Sequence, residues 1–491
     1  MKKITAIVLI LLLTLCGCDA SQITDKENVL GAYADKEEDE KYNSLTSITM
    51  LYYPDMDTNP ATTSCLANHE LLKYVYSPLI SVNDSFDPTC VLAESFSRSG
   101  GTVTVKLKEN IFFSNGEPVT AADVVASYNA IKNQPTSPYY NSLTQMYKYY
   151  AQDNKTFVCQ FDFHDVDCVL TLDIPIMYKG KAGIGCGPYV FSEQNGKPVL
   201  IPNVNYFEKP SVPLIKLVET KNDDYIDDMF SSGALDVMIS SAVDGLSLTS
   251  LRDYKIVSMP SNRFVYIGIN FNKPEFVSVD VRKSISDIID KENIAKKSLV
   301  DLASATDYPF NPSWSKMKSA GADSVKRASD GEIVTAVQIL KDIPLTLTVP
   351  ENSYKITIAN ALVEQFRAVG ITLNIRVLDS MGFTNAVTTG DFELYLGEIA
   401  VPHNMDPTAL YRINGSVNYG GYADYEFDLA YDKYKTGSIE LKSYLEAFSS
   451  RLPVIPLLFG KSVIYCADGI EKFSGPAPYS VYGNGAGLKL R

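Results

Sequence analysis

Histidine is scarce in this chain of 491 residues, and the shortage limits the metal chemistry that the protein can perform. The three histidines, His69, His164 and His403, fall in separate segments of the sequence. A metal centre made of protein side chains needs His, Cys or carboxylate ligands that converge on one point. We therefore expect no metal site and no cofactor, with a chelated metal held through His403 as an alternative.

Motifs of catalysis are missing as well. The sequence contains no GxSxG nucleophile elbow, no HExxH zinc motif and no phosphate-binding P-loop. The acidic pairs Asp223-Asp224 and Asp227-Asp228 lie in polar stretches with helical character, which are typical of solvated helix faces. We therefore expect that the protein is not an enzyme, and a hydrolase is the alternative from another class.

Positive charge is also in short supply. The chain has 44 Lys and Arg residues against 58 Asp and Glu residues, which gives a formal net charge of −14. A chain with this excess of negative charge is repelled by nucleic acid and by anionic membrane surfaces. The composition therefore excludes nucleic acid as an expected partner.

The N-terminus differs in composition from the rest of the chain. Lys2 and Lys3 precede an apolar run at residues 7–15, which is too short to cross a bilayer stably. This pattern predicts a secretion signal in residues 1–17. Removal of the signal takes away both lysines and changes the formal net charge from −14 to −16.

A cysteine follows the predicted signal. The segment Leu15-Cys16-Gly17-Cys18 resembles the lipobox of bacterial lipoproteins, because a small residue precedes Cys18 and a leucine lies three positions before it. The resemblance implies cleavage before Cys18 and a diacylglycerol on that residue, and two acyl chains are enough for stable anchoring. Cys16 fits less well, since the bulky Leu15 precedes it. The alternative is a plain secretory peptide in which Cys18 has no such role.

The next segment, residues 18–44, is polar, acidic and without periodicity, which predicts a flexible tether before the folded part. The length of the whole chain suggests two or three domains. Outside the cytosol an even number of cysteines allows disulfides, but no CxxC pair occurs and a fold of this size needs none. Free and paired thiols are therefore both open for the six remaining cysteines, Cys65, Cys90, Cys159, Cys168, Cys186 and Cys466.

Strand and helix patterns begin soon after the tether. The segment SITMLYY, which starts at Ser47, has the composition of a strand, and residues 66–75 have helical spacing. In TVTVKL, at residues 102–107, apolar and polar residues alternate strictly. This alternation predicts an edge strand of a sheet that is solvated on one face.

Further patterns predict a mixture of helices and strands. Asn115-Gly116 predicts a turn, and Thr120 with Asp123 has the spacing of a capping box at the start of a helix. LTLTVP, YKITIANALVEQFRAVG and ITLNIRVL predict a βαβ unit with parallel strands, in which Gly370 closes the helix. VYIGINFN and LPVIPLLFGKSVIY are also typical of strands. A further helix has one apolar face made of Val281, Ile285, Ile288 and Ile289.

Several of these segments carry a resemblance to one family. YSPL at residues 76–79, LAES at 92–95, VKLK at 105–108 and FSNGEPVTAADV at 113–124 resemble the signature of the family 5 extracellular solute-binding proteins. These proteins are the oligopeptide, dipeptide and nickel receptors of ABC importers. GCGPY, NVNYF, SGALD, GDFEL and the pair Asp406-Pro407 resemble later family motifs in the same order. The resemblance extends from about residue 45 to residue 485.

The resemblance implies a fold and a division of the chain. The fold is an α/β, two-lobed clamshell of the periplasmic-binding-protein kind (type II), from the large class with an extra subdomain in lobe one. The ligand is enclosed between the lobes. Pro260 and Pro453 would lie near the two chain crossings and suit a hinge. The expected boundaries are residues 45–262 and 455–491 for lobe one, about 70–182 for its subdomain, and 263–454 for lobe two.

The resemblance also implies a function. We expect a monomeric receptor for short peptides that delivers its ligand to the permease and ATPase subunits of an ABC importer. It would lie outside the cytoplasm in the cell envelope and contact the membrane through its lipid alone. A non-peptide solute, such as chelated nickel or an oligosaccharide, and a signalling peptide are alternative ligands.

Most predicted ligand contacts come from positions that match the family's pocket, and Tyr53 and Tyr479 are added as aromatic candidates for stacking on a ligand. Peptide-binding relatives carry a Trp shortly after their "D-L" motif and, a few residues later, an acid that pairs with the peptide's α-ammonium group. Here Glu398 stands at the Trp position, and Pro402 or His403 stands where the acid is expected. Glu398 is therefore a candidate counter-charge for a cationic ligand, with a solvated glutamate as the alternative. Ser77 replaces the family's usual Glu. The full set of predicted contacts is Tyr53, Ser77, Glu398, Ile399, His403, Asn404 and Tyr479.

The chain has a single tryptophan, Trp314, in the segment NPSWSK. Its surroundings in the sequence favour a surface loop. In the alternative position, near the cleft, its fluorescence would report closure of the lobes.

Overall fold

The structure is a computed structural model of the chain. No helix in its described part combines the length and apolar content required to cross a bilayer. The predicted signal, the tether and Cys18 lie outside the described residues, as do His403 and Tyr479. The described residues are 47–55, 57–63, 65–161, 164–210, 212–220, 226–241, 255–402, 404–467, 470–473 and 488–490.

The first part of the chain contains one strand of the central sheet, followed by a subdomain. The strand pattern at Ser47 and the helix pattern at residues 66–75 are both confirmed. The elements, in chain order, are β1 (Ile48–Tyr52), α1 (Leu66–Val75), β2 (Ile80–Val82), β3 (Pro88–Cys90), β4 (Ala93–Ser99), β5 (Thr102–Leu107), α2 (Ala121–Lys132), α3 (Tyr140–Thr144), β6 (Met146–Ala151) and β7 (Thr156–Phe161).

The chain then returns to the central sheet and crosses into the second lobe. The crossing strand, β12, is longer than the VYIGINFN pattern predicts. These elements are β8 (Tyr189–Gln194), β9 (Lys197–Pro202), β10 (Ile215–Glu219), α4 (Ile226–Ser231), β11 (Val237–Ser241) and β12 (Lys255–Ile269).

The second lobe contains most of the remaining helices, and the second crossing strand, β17, leads back out of it. The elements are α5 (Val279–Ile288), α6 (Lys291–Asn293), β13 (Ala303–Ala305), α7 (Ser315–Ser319), α8 (Asp330–Leu340), β14 (Leu345–Pro350), α9 (Ser353–Ala368), β15 (Leu373–Leu378), α10 (Ser380–Thr389), β16 (Leu394–Ala400), α11 (Tyr425–Lys435), α12 (Leu441–Arg451), β17 (Ile455–Cys466), β18 (Ile470–Phe473) and β19 (Leu488–Leu490).

One large sheet of 11 strands joins the two lobes. Ten of its strands follow the order β15-β14-β16-β12-β17-β11-β1-β10-β9-β8. The eleventh strand, β13, lies off this path and pairs with β17. The predicted βαβ unit is confirmed, because β14 and β15 are parallel, with Leu345 opposite Leu373. Gly370, which follows α9, has the left-handed φ of 82° that a closing glycine adopts readily.

The two crossing strands pair with each other along most of their length. Lys255 to Pro260 of β12 lie opposite Cys466 to Lys461 of β17, and the ladder is irregular between Pro260 and Phe264. An irregular ladder has fewer regular hydrogen bonds to resist bending than a continuous one. The ladder is therefore discontinuous at the crossing, near the predicted hinge at Pro260.

The described part of the chain has three clusters of buried hydrophobic residues. One large core joins the subdomain to the lobe-one strands, a second large core lies in lobe two, and a small third cluster includes Met229 and Phe230 of α4. Three residues of the subdomain, Val82, Phe86 and Leu170, belong to the lobe-two core. The subdomain therefore packs against both lobes. Val281, Ile285 and Ile288 form a helix face that is buried in the lobe-two core, as predicted, whereas Ile289 is buried there too but follows the end of the helix.

Two sequence-based expectations are wrong. β5 is not an edge strand, since it pairs with β4 on one side and with β7 on the other. Its alternation shows that one face is buried, but alternation carries no information about whether both edges are paired. Trp314 does not lie in an exposed loop, because only 1% of its surface is accessible and its ring lies 5.5 Å from that of Phe310.

Candidate functional site

The candidate site lies where the carboxyl ends of parallel strands from both lobes meet. β1 and β11 are parallel and run in the direction of β12, since β11 and β12 are both antiparallel to β17. β16 and its parallel neighbour β14 run the opposite way, because β16 is antiparallel to β12. The two carboxyl edges therefore face each other at the crossing. Ligands of open α/β sheets bind outside such edges, which makes this cleft the candidate site.

Three charged side chains meet at the lobe-two edge of the candidate site, near the carboxyl end of β16. The Glu398 carboxylate contacts Arg263 Nε at 2.5 Å and Lys355 Nζ at 3.3 Å. Glu398 is nearly buried, with 8% of its side chain exposed, whereas Arg263 is 28% and Lys355 17% exposed. The predicted counter-charge is thus already paired with two cations of the protein. A ligand ammonium group at this carboxylate would share it with them.

Local structure explains why these three side chains meet. Arg263 lies opposite Ala400 in the β12–β16 ladder, which makes it a diagonal neighbour of Glu398 on the same face of the sheet. Lys355 lies in the first turn of α9, and the Asn352 side chain caps that helix by accepting from the backbone N–H groups of its first turn. Strand register and a helix cap therefore fix the cluster.

The other predicted contacts in lobe two have different surroundings. Ile399 follows Glu398 in the strand, so its side chain points to the opposite face, where it packs against the lobe-two core. The loop after β16 is held to β12 by two hydrogen bonds between Asn262 and Val401 of 2.8 and 2.9 Å. Asn404 is 2% exposed and contacts the subdomain. Ligand contacts by Ile399 and Asn404 stay predictions.

Tyr53 lies at the carboxyl end of β1, on the lobe-one wall. Its backbone N–H donates to the Asn68 side-chain oxygen at 3.0 Å, and its carbonyl accepts from the Asn68 amide at 2.9 Å. Asn68, in α1, is itself 1% exposed. This residue was not predicted from the sequence, yet it fixes the backbone of a predicted contact.

Ser77 lies away from any open surface. It is 0% exposed, its carbonyl accepts from Ile176 N–H at 3.1 Å, and its hydroxyl has no hydrogen-bond partner among the described residues. Its role as a ligand contact stays a prediction. His403 and Tyr479 lie outside the described residues.

A buried ionic cluster between the subdomain and lobe two was not predicted from the sequence. Lys435 Nζ lies 2.7 Å from Asp165 and 3.2 Å from Asp167. Burial by itself would lower the pKa of Lys435, but the charges of Asp167 and Asp165 outweigh burial and raise it, so the lysine is charged. The subdomain loop and the helix end are 268 positions apart in sequence for Asp167 and Lys435, so no local pattern would reveal this contact.

No group of three or more His, Cys, Asp and Glu side chains in the described ranges has an arrangement that could hold a metal ion. Cys159, Cys168 and Cys186 are buried free thiols, and burial raises the pKa of Cys168 and of Cys186 to about 12. Such thiols are protonated and unreactive at neutral pH.

Two α/β lobes whose strand ends face each other across a pair of crossing strands define the class of clamshell binding proteins. Comparisons with known proteins identify the family. Residues 87–421 match the model of "Bacterial extracellular solute-binding proteins, family 5 Middle". Because the match covers more than half of the chain, the protein belongs to family 5 of the bacterial extracellular solute-binding proteins. Its function is therefore the binding of a solute.

Individual relatives agree with this assignment. The chain is 22% identical to the dipeptide-binding protein DppE of Bacillus subtilis, over 91% of this chain and 92% of DppE. It is 24% identical to the oligopeptide-binding protein AppA of the same organism, and this match spans only 51% of each chain. The solved structure of the ABC transporter substrate-binding protein CtaP of Listeria monocytogenes has a TM-score of 0.74 and 21% identity, over 91% of this chain and 100% of CtaP. The similarity of the solved structure shows the fold.

Proposed function

We propose that the protein is the receptor of an ABC importer for short peptides, held outside the cytoplasm by a lipid on Cys18. The observation that carries the proposal is the similarity to DppE, which covers nearly the whole of both chains. Both of the curated relatives described above are named as peptide-binding proteins. Permease and ATPase subunits are the expected partners, and a monomer is the expected state.

The mechanism needs no bond to be made or broken. A peptide binds at the carboxyl edge of one lobe, and bending at the β12–β17 crossing brings the other edge onto it. Closure is a population shift, and its size is limited by the difference between the peptide's affinities for the open and closed forms. The closed form presents the surface that the permease recognises. This receptor role accounts for the lack of catalytic motifs.

The two basic neighbours of Glu398 restrict which chemical group of a peptide this carboxylate can bind. Arg263 and Lys355 already neutralise this carboxylate, and both are more exposed than it is. We propose that Glu398 orients a polar group of the peptide, together with its two basic neighbours.

The test is a thermal-shift screen of the protein lacking residues 1–18. The probes are the alanine series from dialanine to pentaalanine and mixed peptides of the same lengths. Free amino acids, nickel with and without histidine, and oligosaccharides complete the set. A probe at a hundredfold excess over its Kd stabilises the native state by about 2.7 kcal/mol and raises Tm.

The proposal expects shifts with peptides, which the Glu398→Ala variant should reduce. The matched variant is Glu364→Ala, which removes an exposed glutamate from α9 and should leave the peptide shifts unchanged. Shifts with nickel–histidine or an oligosaccharide, and none with any peptide, would overturn the peptide assignment while leaving the receptor role in place.

A further inference from the structure

The buried cluster between the subdomain and lobe two holds the loop that follows β16. The four residues at its centre, Asp165, Asp167, Asn404 and Lys435, are each no more than 6% exposed. Asp165 and Asp167 belong to the subdomain loop before the 3-10 turn Cys168–Leu172, and Lys435 ends α11 of lobe two. Asn404 lies in the loop that follows β16, of which residues 401, 402 and 404–407 are described, and which is called the 401–407 loop below.

The ammonium group of Lys435 contacts three oxygen acceptors within this cluster. Its Nζ donates to Asp165 Oδ1 at 2.7 Å, to Asp167 Oδ2 at 3.2 Å and to the carbonyl of Asn404 at 2.7 Å. A lysine ammonium group has three donors, so these acceptors satisfy it fully. The lysine thus ties the backbone of the loop to two carboxylates of the subdomain.

Asn404 makes the second connection, through its side chain. Its amide donates to Asp165 Oδ2 at 2.9 Å and to Gln145 Oε1 at 3.0 Å. Both acceptors belong to the subdomain. Residue 405 follows in the left-handed conformation, with φ of 55°, which a methionine adopts only where its surroundings hold it. The loop is therefore supported from outside its own lobe.

The charges of the cluster are balanced. Asp167 also contacts Lys316 and accepts from Tyr434 Oη at 3.1 Å, so two carboxylates face two lysines. Burial alone would raise the pKa of Asp167, but Lys435 and Lys316 outweigh burial and lower it. A buried pair of this kind adds little net stability, because desolvation offsets the attraction. Its effect is to specify one geometry, since every other placement leaves a charge unpaired.

A second contact holds the subdomain against lobe two nearby. Phe86, at the tip of the β2–β3 hairpin, is 0% exposed within the lobe-two core and has a φ of 57°. Ser315 N–H donates to the Ser85 carbonyl at 3.0 Å. Trp314 and Lys316 flank Ser315, and Lys316 contacts Asp167. The single tryptophan is therefore a built-in reporter of this contact.

We infer that Asp165 and Lys435 are positioning residues, which hold the 401–407 loop of lobe two in place through Asn404. The subdomain of lobe one thereby sets the shape of the opposite wall of the cleft. That the loop contacts the ligand rests on the proposed function, whereas its support by the cluster does not.

The test compares three variants of the protein lacking residues 1–18, without any ligand. Lys435→Met removes the central cation, and Lys433→Met makes the same change at an exposed site two residues earlier in α11. Asn404→Ala removes the side-chain connection and leaves the ion pairs intact. Amide hydrogen exchange of peptides that cover residues 401–407 and acrylamide quenching of Trp314 are measured on each variant.

Lys435→Met and Asn404→Ala should each raise exchange in residues 401–407 by about tenfold or more, as local opening becomes easier. Lys435→Met should also increase the quenching of Trp314, and Lys433→Met should change neither quantity. Native exchange of the loop in either folded variant would overturn the inference. If Lys435→Met does not fold, the amide exchange of the loop in Asn404→Ala tests the inference without it.

The same variants separate this inference from the proposed function. A peptide that shifts Tm in the screen should bind Lys435→Met and Asn404→Ala more weakly than Lys433→Met. Faster loop exchange with no peptide binding by any form would contradict the proposed ligand while leaving the support of the loop established.

Discussion

Glu398 differs from the residue type that the family resemblance implies at its position, and two neighbouring cations balance its charge. The resemblance implies a tryptophan at this position, and a carboxylate there needs partners once it is nearly buried. Arg263, from the neighbouring strand, and Lys355, from a helix start, supply them. An acid and two bases thus meet where the resemblance implies an aromatic ring. The sequence identified the unusual glutamate, but neither of its partners.

Glu70 is another buried carboxylate, and its pKa lies well below the ordinary value of a glutamate. Burial alone would raise its pKa, but the charge of Lys73, at 2.7 Å, and the contact with His69 outweigh burial. The pKa of Glu70 therefore falls to about 2 from an ordinary value of 4.5. Tyr139 Oη lies 2.9 Å from the other ring nitrogen of His69 and completes the chain of contacts.

We predict that Glu70→Gln removes stability in a manner that depends on pH. A carboxyl with a depressed pKa in the folded state stabilises the protein above its unfolded pKa, and this contribution disappears as pH falls through the folded value. For Glu70 the contribution is about 3 kcal/mol at pH 7 and is lost between roughly pH 4.5 and pH 2. Urea unfolding of the native protein and of the variant, at pH 7 and at pH 3, measures it.

The gap between the two proteins should shrink by about half or more at pH 3. Glu364→Gln, which changes an exposed glutamate, serves as the control and should give the same small difference at both pH values. A gap that stays constant from pH 7 to pH 3 would mean that the Glu70 carboxyl is not strongly acidic in the folded protein.

Local signals in the sequence predicted several elements well. The Asp123 carboxylate accepts from the N–H of Thr120 at 3.1 Å and from its hydroxyl at 2.6 Å, at the start of α2. This contact spans three residues, so the spacing in the sequence was sufficient to predict it. The other oxygen of Asp123 accepts from Lys179 N–H at 3.1 Å, a contact over 56 residues that no local pattern contains.

The GCGPY segment shows a close approach between two elements. Gly187 N–H donates to the Val75 carbonyl, at the end of α1, at 2.8 Å. A Cβ at Gly187 would lie 2.5 Å from the Tyr74 carbonyl oxygen, and one at Gly185 would lie 2.0 Å from that of Val75. The two glycines are therefore required by space and not by a left-handed conformation.

We predict that Gly187→Ala destabilises the protein by about 1–3 kcal/mol, because the backbone of α1 cannot yield to the added methyl group. Gly331→Ala is the matched control, since a Cβ at this position in α8 meets no atom within 4 Å. In a helix that control should be neutral or stabilising by up to about 1 kcal/mol. Urea unfolding measures both, and equal stability of the two variants would contradict the prediction.

The molecule as a whole has more than one connection between its lobes. β12 and β17 cross between them, and the subdomain adds Phe86 and the Asp165–Lys435 pair. The closure proposed above would therefore bend the irregular ladder near Pro260 and would also change the contact between the subdomain and lobe two. The family resemblance led us to expect the crossing strands, whereas the subdomain contact is visible only in three dimensions.

The proposed attachment to the membrane also concerns the whole molecule. The acidic chain has no electrostatic attraction to an anionic bilayer, so the proposed attachment rests on the lipid that we propose at Cys18. We predict that Cys18→Ser moves the full-length protein from the membrane fraction to the medium or periplasm, whereas Cys16→Ser leaves it in the membrane fraction. Fractionation and immunoblotting measure this, and a Cys18→Ser protein that stays in the membrane fraction would overturn the assignment.

The family, most element types and the capped junction at Thr120 could be inferred from the amino-acid sequence. These features depend on residues close together in the chain, where spacing and composition carry the information. The internal position of β5, the burial of Trp314 and the contact of Lys435 with Asp165 and Asp167 became visible in the folded arrangement. Each of these depends on contacts over tens to hundreds of residues, and their energy comes from burial and charge pairing that exist only after the chain has folded.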